Sequence, residues 1–529
     1  MESPSPQKER KSRKKLLLRI GCGALALLAT LAISGWLYFR SGRFNRLLAE
    51  EITKAARDYG LRVEVGRVEL GRGLRNAILH DLKIYNRETG QAVALIELAE
   101  VTLEIREPFA FRLRREIALQ RVDLSGVSLW VDVNENGRSN FTGVRRPHRA
   151  PGRITFDASA LIVALRRGVI RLDDRRRQVS GTLNDLYTEA RATKGGAVSL
   201  KFGIGASPFS YKGRETSVYS LDIAAVVTGT GADIERLTLQ SPMANATAAG
   251  RVDGWSEARY GLKTKARVTL AEAMRVFVPN VGLQGVADFD GRVEGAGPRY
   301  RASGNVTSEE VIAAGIRFLG ARAEGASAGP ERDEWTFSSR AAHAQKVLTK
   351  GLVFNEASVA GVRGAVRQGI ARLSADQADV ARFDAAQGRA EAIRLQQLSA
   401  TLGGGRDEAL SDMSLSIGAL GEVTFGETRG QFVANRDVIG LSAFTSSVMG
   451  GYATGDVAVQ TSRDRVSRLQ AEFTKLDTTG LFPFIGVRNA PIAGSADGRA
   501  NVYWPGAELR DLSGAITAKI SGETVKTPE

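Results

Sequence analysis

Beyond residue 60 the chain alternates apolar and polar residues with a period of two. Val198, Leu200, Phe202 and Ile204 alternate with Ser199, Lys201 and Gly203, and Tyr219, Leu221, Ile223 and Ala225 with Ser220, Asp222 and Ala224. Tyr260, Leu262, Thr264, Ala266 and Val268 alternate with Lys263, Lys265 and Arg267, and Met413, Leu415 and Ile417 with Ser414, Ser416 and Gly418. Strands of this kind have one apolar and one wet face, the pattern of antiparallel sheets. Around Ser125 and Gly126 the phase slips: Val122 and Leu124 are followed by Val127, Leu129, Val131 and Val133. A one-residue slip turns the apolar side outward, so a bulge is predicted there. Short helices are predicted only near 270–277, before Pro279, and near 479–485. The Ala/Gly-rich stretch 321–408 reads as looser. At about 13 residues per strand and turn, the chain predicts on the order of 35 strands. No helical layer is available to cover their apolar face. That face must fold on itself as a sandwich, or curl into a groove that something apolar fills.

The N-terminus follows a different pattern. Residues 20–39, from Ile20 to Phe39, are uncharged and mostly apolar, about 30 Å of helix, which matches a bilayer's hydrocarbon thickness. Trp36, Tyr38 and Phe39 stand at its far end, where aromatic rings favour the membrane interface, and Arg40 closes it. The segment predicts an uncleaved signal anchor. The basic tail 1–19 before it predicts a cytoplasmic N-terminus, with the bulk of the chain exported. Phe44, Leu47, Leu48, Ile52, Ala55, Ala56 and Tyr59 then recur at helical spacing up to Gly60, predicting an amphipathic helix over 43–59. Its apolar face packs on the first strands or lies in the membrane interface. Residues 145–152, with Pro147 and Pro151, predict a joint between an N-terminal module, 40–150, and a repeating sheet, 151–529.

The net charge of +15 suggests nucleic acid until its distribution is examined. Ten Lys/Arg against Glu2 and Glu9 leave +8 in residues 1–46, around the apolar segment, where basic residues set topology. Eleven arginines against Asp157, Asp173 and Asp174 leave another +8 in 138–177. That span reads as solvated strand faces and turns, or as a patch facing headgroups or a partner. No nucleic-acid partner is expected. Glycine, 58 of 529 residues, exceeds its usual share of about 7% and fits many turns and bulges.

Candidate chemistry is sparse. Asp132, Asn134 and Asn136 imitate the start of a calcium loop, but its twelfth position is Gly143, where a bidentate carboxylate is required. A turn using Asn136-Gly137 is the better reading. Gly403, Gly404 and Gly405 lack a following Lys-Ser/Thr and read as a turn. His80, His148 and His343 lie far apart, and the only cysteine, Cys22, is inside the apolar segment. Asn140, Asn245 and Asn305 begin Asn-x-Thr triplets, which matter only in a glycosylating secretory pathway. No catalytic residue, metal site or cofactor is expected, and the chain does not read as an enzyme.

With these residues in view the chain resembles the AsmA-like family, which includes AsmA- and TamB-type envelope proteins. The resemblance runs from the basic tail and anchor through LRVEVGRVEL (61–70) and ILHDLKIYN (78–86) to VDLSGVSLWVDVNENGRSNF (122–141). It continues in LGARAEGA (319–326), MGGYATGDVAV (449–459), KLDTTGLFPFIG (475–486), IAGSADGRANV (492–502) and LRDLSGAITAKI (509–520). The resemblance implies an elongated, antiparallel, repeating β-groove in the periplasm, anchored in the inner membrane and carrying phospholipid toward the outer membrane. Val127, Leu129, Val131, Val133, Val198, Leu200, Phe202, Ile204, Tyr260 and Leu262 are its expected lipid-contacting residues. For TamB-like members it implies instead an assembly factor for outer-membrane proteins, with a barrel protein as partner. TamB-like chains are longer and carry a C-terminal domain, so a fragment or a shorter AsmA-type member is expected here.

Overall fold

A computed structural model describes residues 56–57, 59–70, 76–105, 115–144, 154–157, 159–193, 196–255, 258–277, 282–297, 299–349, 351–385, 388–403, 407–420, 423–462, 464–484, 487, 492–507 and 511–524. The predicted tail 1–19, the apolar segment with Ile20, Trp36, Tyr38 and Phe39, the first part of the helix over 43–59 and the joint at 145–152 lie outside these residues. Among the described residues no helix is long and apolar enough to cross a membrane. The fold is mainly β and divides into two compact units.

The first unit comprises Met1–Val268 with Arg275–Phe277 and Arg292–Pro298. Its strands are β1 (Leu61–Leu70), β2 (Asn76–Asn86), β3 (Ala92–Ile105), β4 (Arg115–Val133), β5 (Ile154–Asp157), β6 (Ile162–Asp174), β7 (Val179–Ala192), β8 (Val198–Ile204), β9 (Ser207–Tyr211), β10 (Arg214–Val218), β11 (Ser220–Val227), β12 (Gly231–Gln240), β13 (Ala244–Asp253) and β14 (Arg259–Thr269). Helix α1 (Leu270–Phe277) and β15 (Leu283–Ala296) follow, the helix where the sequence predicts one. β1 to β4 pair antiparallel in order, and β7 pairs β8, which leads through β11, β12 and β13 to β14. One expectation fails here. β4 runs parallel to β5 and to β6, because the chain from its end returns to the start of the strand before pairing again.

That return is pinned by two buried asparagines. Asn140 accepts from the Asp132 N–H at 3.1 Å and donates to the carbonyls of Trp130 and Ala92 at 2.8 and 3.2 Å. Asn86 donates to the carbonyls of Asn140 and Thr142, both at 2.7 Å. The predicted turn at Asn136-Gly137 forms, with the Gly137 N–H on the Asn134 carbonyl at 2.9 Å. Asn140, with both polar atoms of its amide engaged and 2% exposed, is closed to glycosylation in this fold.

The phase slip at Gly126 is real, but β3 and β4 keep one register across it. The reason is a transverse row. Asp81, Gly126 and Arg167 adopt left-handed φ of 52°, 63° and 56°, and face Gly66, Glu97 and one another across β1 to β4 and β6. Each of these five strands therefore inverts its alternation at the same level without slipping against the next, while β6 and β7 are irregular there, between Leu165 and Ile170. Val122 and Val127, Leu79 and Leu82, and Ile96 and Ala99 are spaced at odd intervals, yet all join one core with Val63, Val101 and Leu161. A Cβ on Gly126 would run into the Glu97 side chain, which would have to move aside, and its left-handed φ favours glycine. Ala56, 0% exposed, packs into this core, which places that end of the predicted amphipathic helix on the first strands.

The second unit comprises Thr269–Met274, Val278–Gly291 and Arg299–Glu529. It contains β16 (Arg299–Ala313), β17 (Ile316–Glu331), β18 (Glu334–Thr349), β19 (Leu352–Arg367), β20 (Ile370–Ala385), β21 (Gly388–Leu402), β22 (Glu408–Leu415), β23 (Ile417–Leu420), β24 (Val423–Asn435), β25 (Val438–Val448), β26 (Gly451–Gln460), β27 (Val466–Asp477), helix α2 (Thr478–Phe484), β28 (Ile492–Pro505) and β29 (Ser513–Thr524). The stretch predicted to be loose is instead its most regular part. β17 to β20 are each 16 residues long and joined by two-residue turns, a repeat of 36 residues per hairpin. Two left-handed rows cross it: Gly320, Glu356 and Ala392 at φ 60°, 50° and 51°, and Gly325, Gly361 and Gln397 at 58°, 66° and 53°. Each position recurs at the 36-residue period. Alternation inverts twice along each strand, which is why no run of period two is visible in the sequence. Strands this long also leave 29 among the described residues. A further correction concerns Ile417: the strand breaks at Ser416, and Ile417 is 56% exposed while Leu415 is buried. Tyr219, likewise 56% exposed, precedes β11 and does not share the face of Leu221.

Candidate functional site

The strongest candidate is an apolar groove built by β24 to β29 within the second unit. Cross-strand register assembles it in rows. Leu441, Val457, Leu469 and Val502 make one row, and Ala453, Phe473 and Gly498 another. Between them Phe444, Gly455, Ala471, Ala500 and Ile516 form a floor whose three middle members have almost no side chain. The result is a cavity of about 300 Å³, lined almost wholly by aliphatic and aromatic groups. The hydroxyls of its lining residues Thr428 and Ser446 bond to each other at 2.7 Å, and Trp504, also in the lining, has its indole Nε1–H buried with no partner among the described residues.

One end is closed. Phe473 lies over Gly498, where a Cβ would meet the ring at 2.8 Å, and packs with Leu476, Ala496 and Leu481. Leu481 is delivered by α2, which forms where the sequence predicts a helix. The Asp477 carboxylate accepts from the Thr479 N–H at 2.9 Å and caps its start. Thr478, fully buried, accepts from the Gly494 N–H at 2.9 Å and ties the helix to β28.

The same one-sided chemistry continues in β17 to β21. Phe318, Val347, Phe354, Phe383 and Ala390 make one row, and Ala323, Ala342, Val359, Ala378 and Leu395 another, with Phe354 and Phe383 rings 5.0 Å apart. The opposite face carries Arg322, His343, Ser358, Asp379 and Arg394. The large residues of the apolar face are half-buried, not enclosed: the buried residues of these five strands are Gly329, Ala344, Ala375, Ala378 and Ala390.

The ten residues expected to contact lipid all lie in the first unit, and register brings six of them together. Val198, Leu200, Phe202 and Ile204 of β8 stand beside Val227, Ala225, Ile223 and Leu221 of β11. The row of Leu200 runs on through Ala225, Ile234 and Gly250 to Leu262, and that of Val198 ends on Tyr260. Most are half-buried; Ile204 is 5% exposed. Burial raises the Tyr260 hydroxyl above its ordinary range. Val127 is different, being part of the closed core with Ile96 and Ala99. Leu129, Val131 and Val133 lie beyond the left-handed row, half-buried, opposite Ile170, Leu172 and Asp174. The residues of the β24–β29 groove were missed. Their signal in the sequence is the spacing of small residues between larger apolar ones, as in GYATGDVAV and LQAEF.

Among the described residues the histidines do not converge with other titratable groups into a site. His343 bonds the Glu356 carboxylate at 2.9 Å on the wet face, and His80 lies 3.7 Å from Glu69. Among the described residues no group of three or more His, Cys, Asp or Glu could hold a metal ion. A scan against protein families and a search of curated proteins both returned no match.

Proposed function

We propose that this chain is a membrane-anchored, non-enzymatic lipid-binding protein that holds acyl chains against the apolar face of its sheets and passes phospholipid along them. The reading is supported above all by the cavity of β24 to β29, which is within the size range of ligand sites and almost free of polar groups. An occupant that buries eight methylenes there gains about 6 kcal/mol at roughly 0.8 kcal/mol per methylene, with no directional contact required. The anchor, the periplasmic location and the direction toward the outer membrane rest on the sequence pattern and the family resemblance. Net movement needs a gradient or an energised partner. Lipid mass spectrometry on the purified full chain tests the reading: copurifying phospholipid is expected at near-stoichiometric amounts, and a lipid-free chain overturns it.

A second reading, assembly of outer-membrane proteins, is favoured by one feature. β29 pairs only with β28 among the described residues and is exposed along almost its whole length, so its free edge could receive a client strand. A copurified barrel protein without lipid would select this reading.

A further inference from the structure

Five chain segments meet at one end of the first unit. Gly60 accepts from the Arg87 N–H at 3.0 Å, which joins the entry to β1 to the turn 86–91. That turn abuts residues 134–144 through the bonds of Asn86 and Asn140. The Arg175 N–H reaches the Val133 carbonyl at 2.9 Å, and the Lys212 N–H the Gln178 carbonyl at 2.8 Å, adding the turns after β6 and after β9. The tips of this rim carry Arg87, Arg138, Arg175, Arg176, Arg177 and Lys212, all exposed, against two exposed carboxylates, Glu88 and Glu135. Three more carboxylates, Asp132, Asp173 and Asp174, lie one or two residues back in the strands, and Arg175 and Arg177 engage the last two at 3.2 and 3.1 Å. Arg87, Arg138 and Arg176 have no carboxylate partner among the described residues. Just below, on the wet face, Arg171 sits 5.8 Å from the Trp130 ring. By contrast, the turns 228–230 and 241–243 of the same unit contain no charged residue.

The rim is also where the chain arrives from the apolar segment 20–39. Only 20 residues separate Phe39 from Gly60, at most about 70 Å of extended chain. Arg87, Arg138, Arg176 and Lys212, the four cations outside the ion pairs of Arg175 and Arg177, stand on adjoining turns within reach of a membrane segment; they have the right charge for an anionic lipid surface, and each is worth roughly 1 kcal/mol there. We infer that this rim docks on the headgroups of an anionic bilayer, orienting the first unit on the membrane that holds its anchor. The inference rests on the membrane-anchored reading above and adds to it a second contact, electrostatic and on the folded domain.

The test uses the full chain reconstituted into vesicles of phosphatidylcholine, with or without about one third phosphatidylglycerol. Each preparation carries a phospholipid with a photoreactive group on its headgroup, and labelled residues are mapped by mass spectrometry. Labelling is expected in 86–91, 134–144, 175–178 and 212–213, more than about tenfold stronger with phosphatidylglycerol, and suppressed at about 0.5 M salt. The turns 228–230 and 241–243 should stay unlabelled. Arg138→Gln, Arg176→Gln and Lys212→Gln combined should abolish the preference for anionic lipid. Rim labelling that ignores lipid charge and salt, equal labelling of the neutral turns, or no rim labelling overturns the inference. If the triple variant does not fold, the lipid and salt comparisons on the unaltered chain decide alone. A parallel probe with the photoreactive group on the acyl chain reports on the β24–β29 groove, so failure of the rim and failure of the conduit are separately visible.

Discussion

Replacing Ala471 with leucine separates an open groove from a closed core. Ala471 sits mid-floor, with Gly455 on one side and Ala500 on the other, and its strand faces a cavity of about 300 Å³. Leucine adds three carbons between Gly455 and Ala500, neighbours with no side chain and a single methyl. If the new side chain is half removed from water, it contributes about 1 kcal/mol, against about 2.4 kcal/mol for full burial at 0.8 kcal/mol per carbon. In a close-packed interior the same addition costs about 1–3 kcal/mol. Ala496 supplies the comparison, since it is 0% exposed and enclosed by Phe473, Leu476 and Leu481. Urea unfolding followed by circular dichroism should show A471L as stable as the parent or slightly more so, and A496L destabilised by about 1–3 kcal/mol. Lipid recovered with A471L should fall, because its side chain occupies the volume an acyl chain would take. Destabilisation of A471L to the level of A496L, or undiminished lipid, refutes the reasoning.

The structure makes three other predictions. Asn140→Ala leaves the carbonyls of Trp130 and Ala92 and the Asp132 N–H without their partner, and should cost the first unit about 2–4 kcal/mol, read as faster hydrogen exchange in β3, β4 and β6. Ala392→Gly relieves a left-handed alanine at φ 51° and should stabilise by about 0.5–1 kcal/mol in chemical denaturation, whereas glycine in an ordinary strand position weakens it. Deleting residues 352–387 removes one hairpin of the 36-residue repeat and leaves β18 facing β21 in the register it held with β19. The shortened chain should therefore fold cooperatively with its remaining left-handed rows intact, and loss of folding would mean that the repeat is not modular.

Much of this fold was legible where local pattern and global face agree. β8, β11 and β14 alternate without interruption, so their apolar sides could be read directly, and Pro279 marked the end of α1. The closed core around Val127 was harder. Its phase slip pointed to a bulge, but only the neighbouring strands reveal that Asp81, Glu97 and Arg167 invert with it, which keeps the register and merges odd-spaced residues into one core. In β17 to β21 the inversions fall on glycine, glutamate, alanine and glutamine alike. The 36-residue period is therefore carried by backbone conformation and by turn spacing, with glycine at only three of its six left-handed positions to betray it. The parallel pairing of β4 and β6 depends on a return held by Asn86 and Asn140, which are 54 positions apart. The groove floor was obscured because Gly455, Ala471 and Ala500 carry little hydrophobic signal, and their role is to leave space.

The central claim is that an acyl chain occupies the groove of β24 to β29, and photolabelling in place tests it most directly. The full chain is equilibrated with phospholipid bearing a diazirine near the end of one acyl chain, irradiated, digested and mapped. Labels are expected on Val457, Leu469, Ala471 and Ala500, competed by unlabelled phospholipid and reduced in A471L. Labels confined to the wet face of those strands, such as Arg468, Gln470 and Glu472, or no competable label in the groove, would contradict the account.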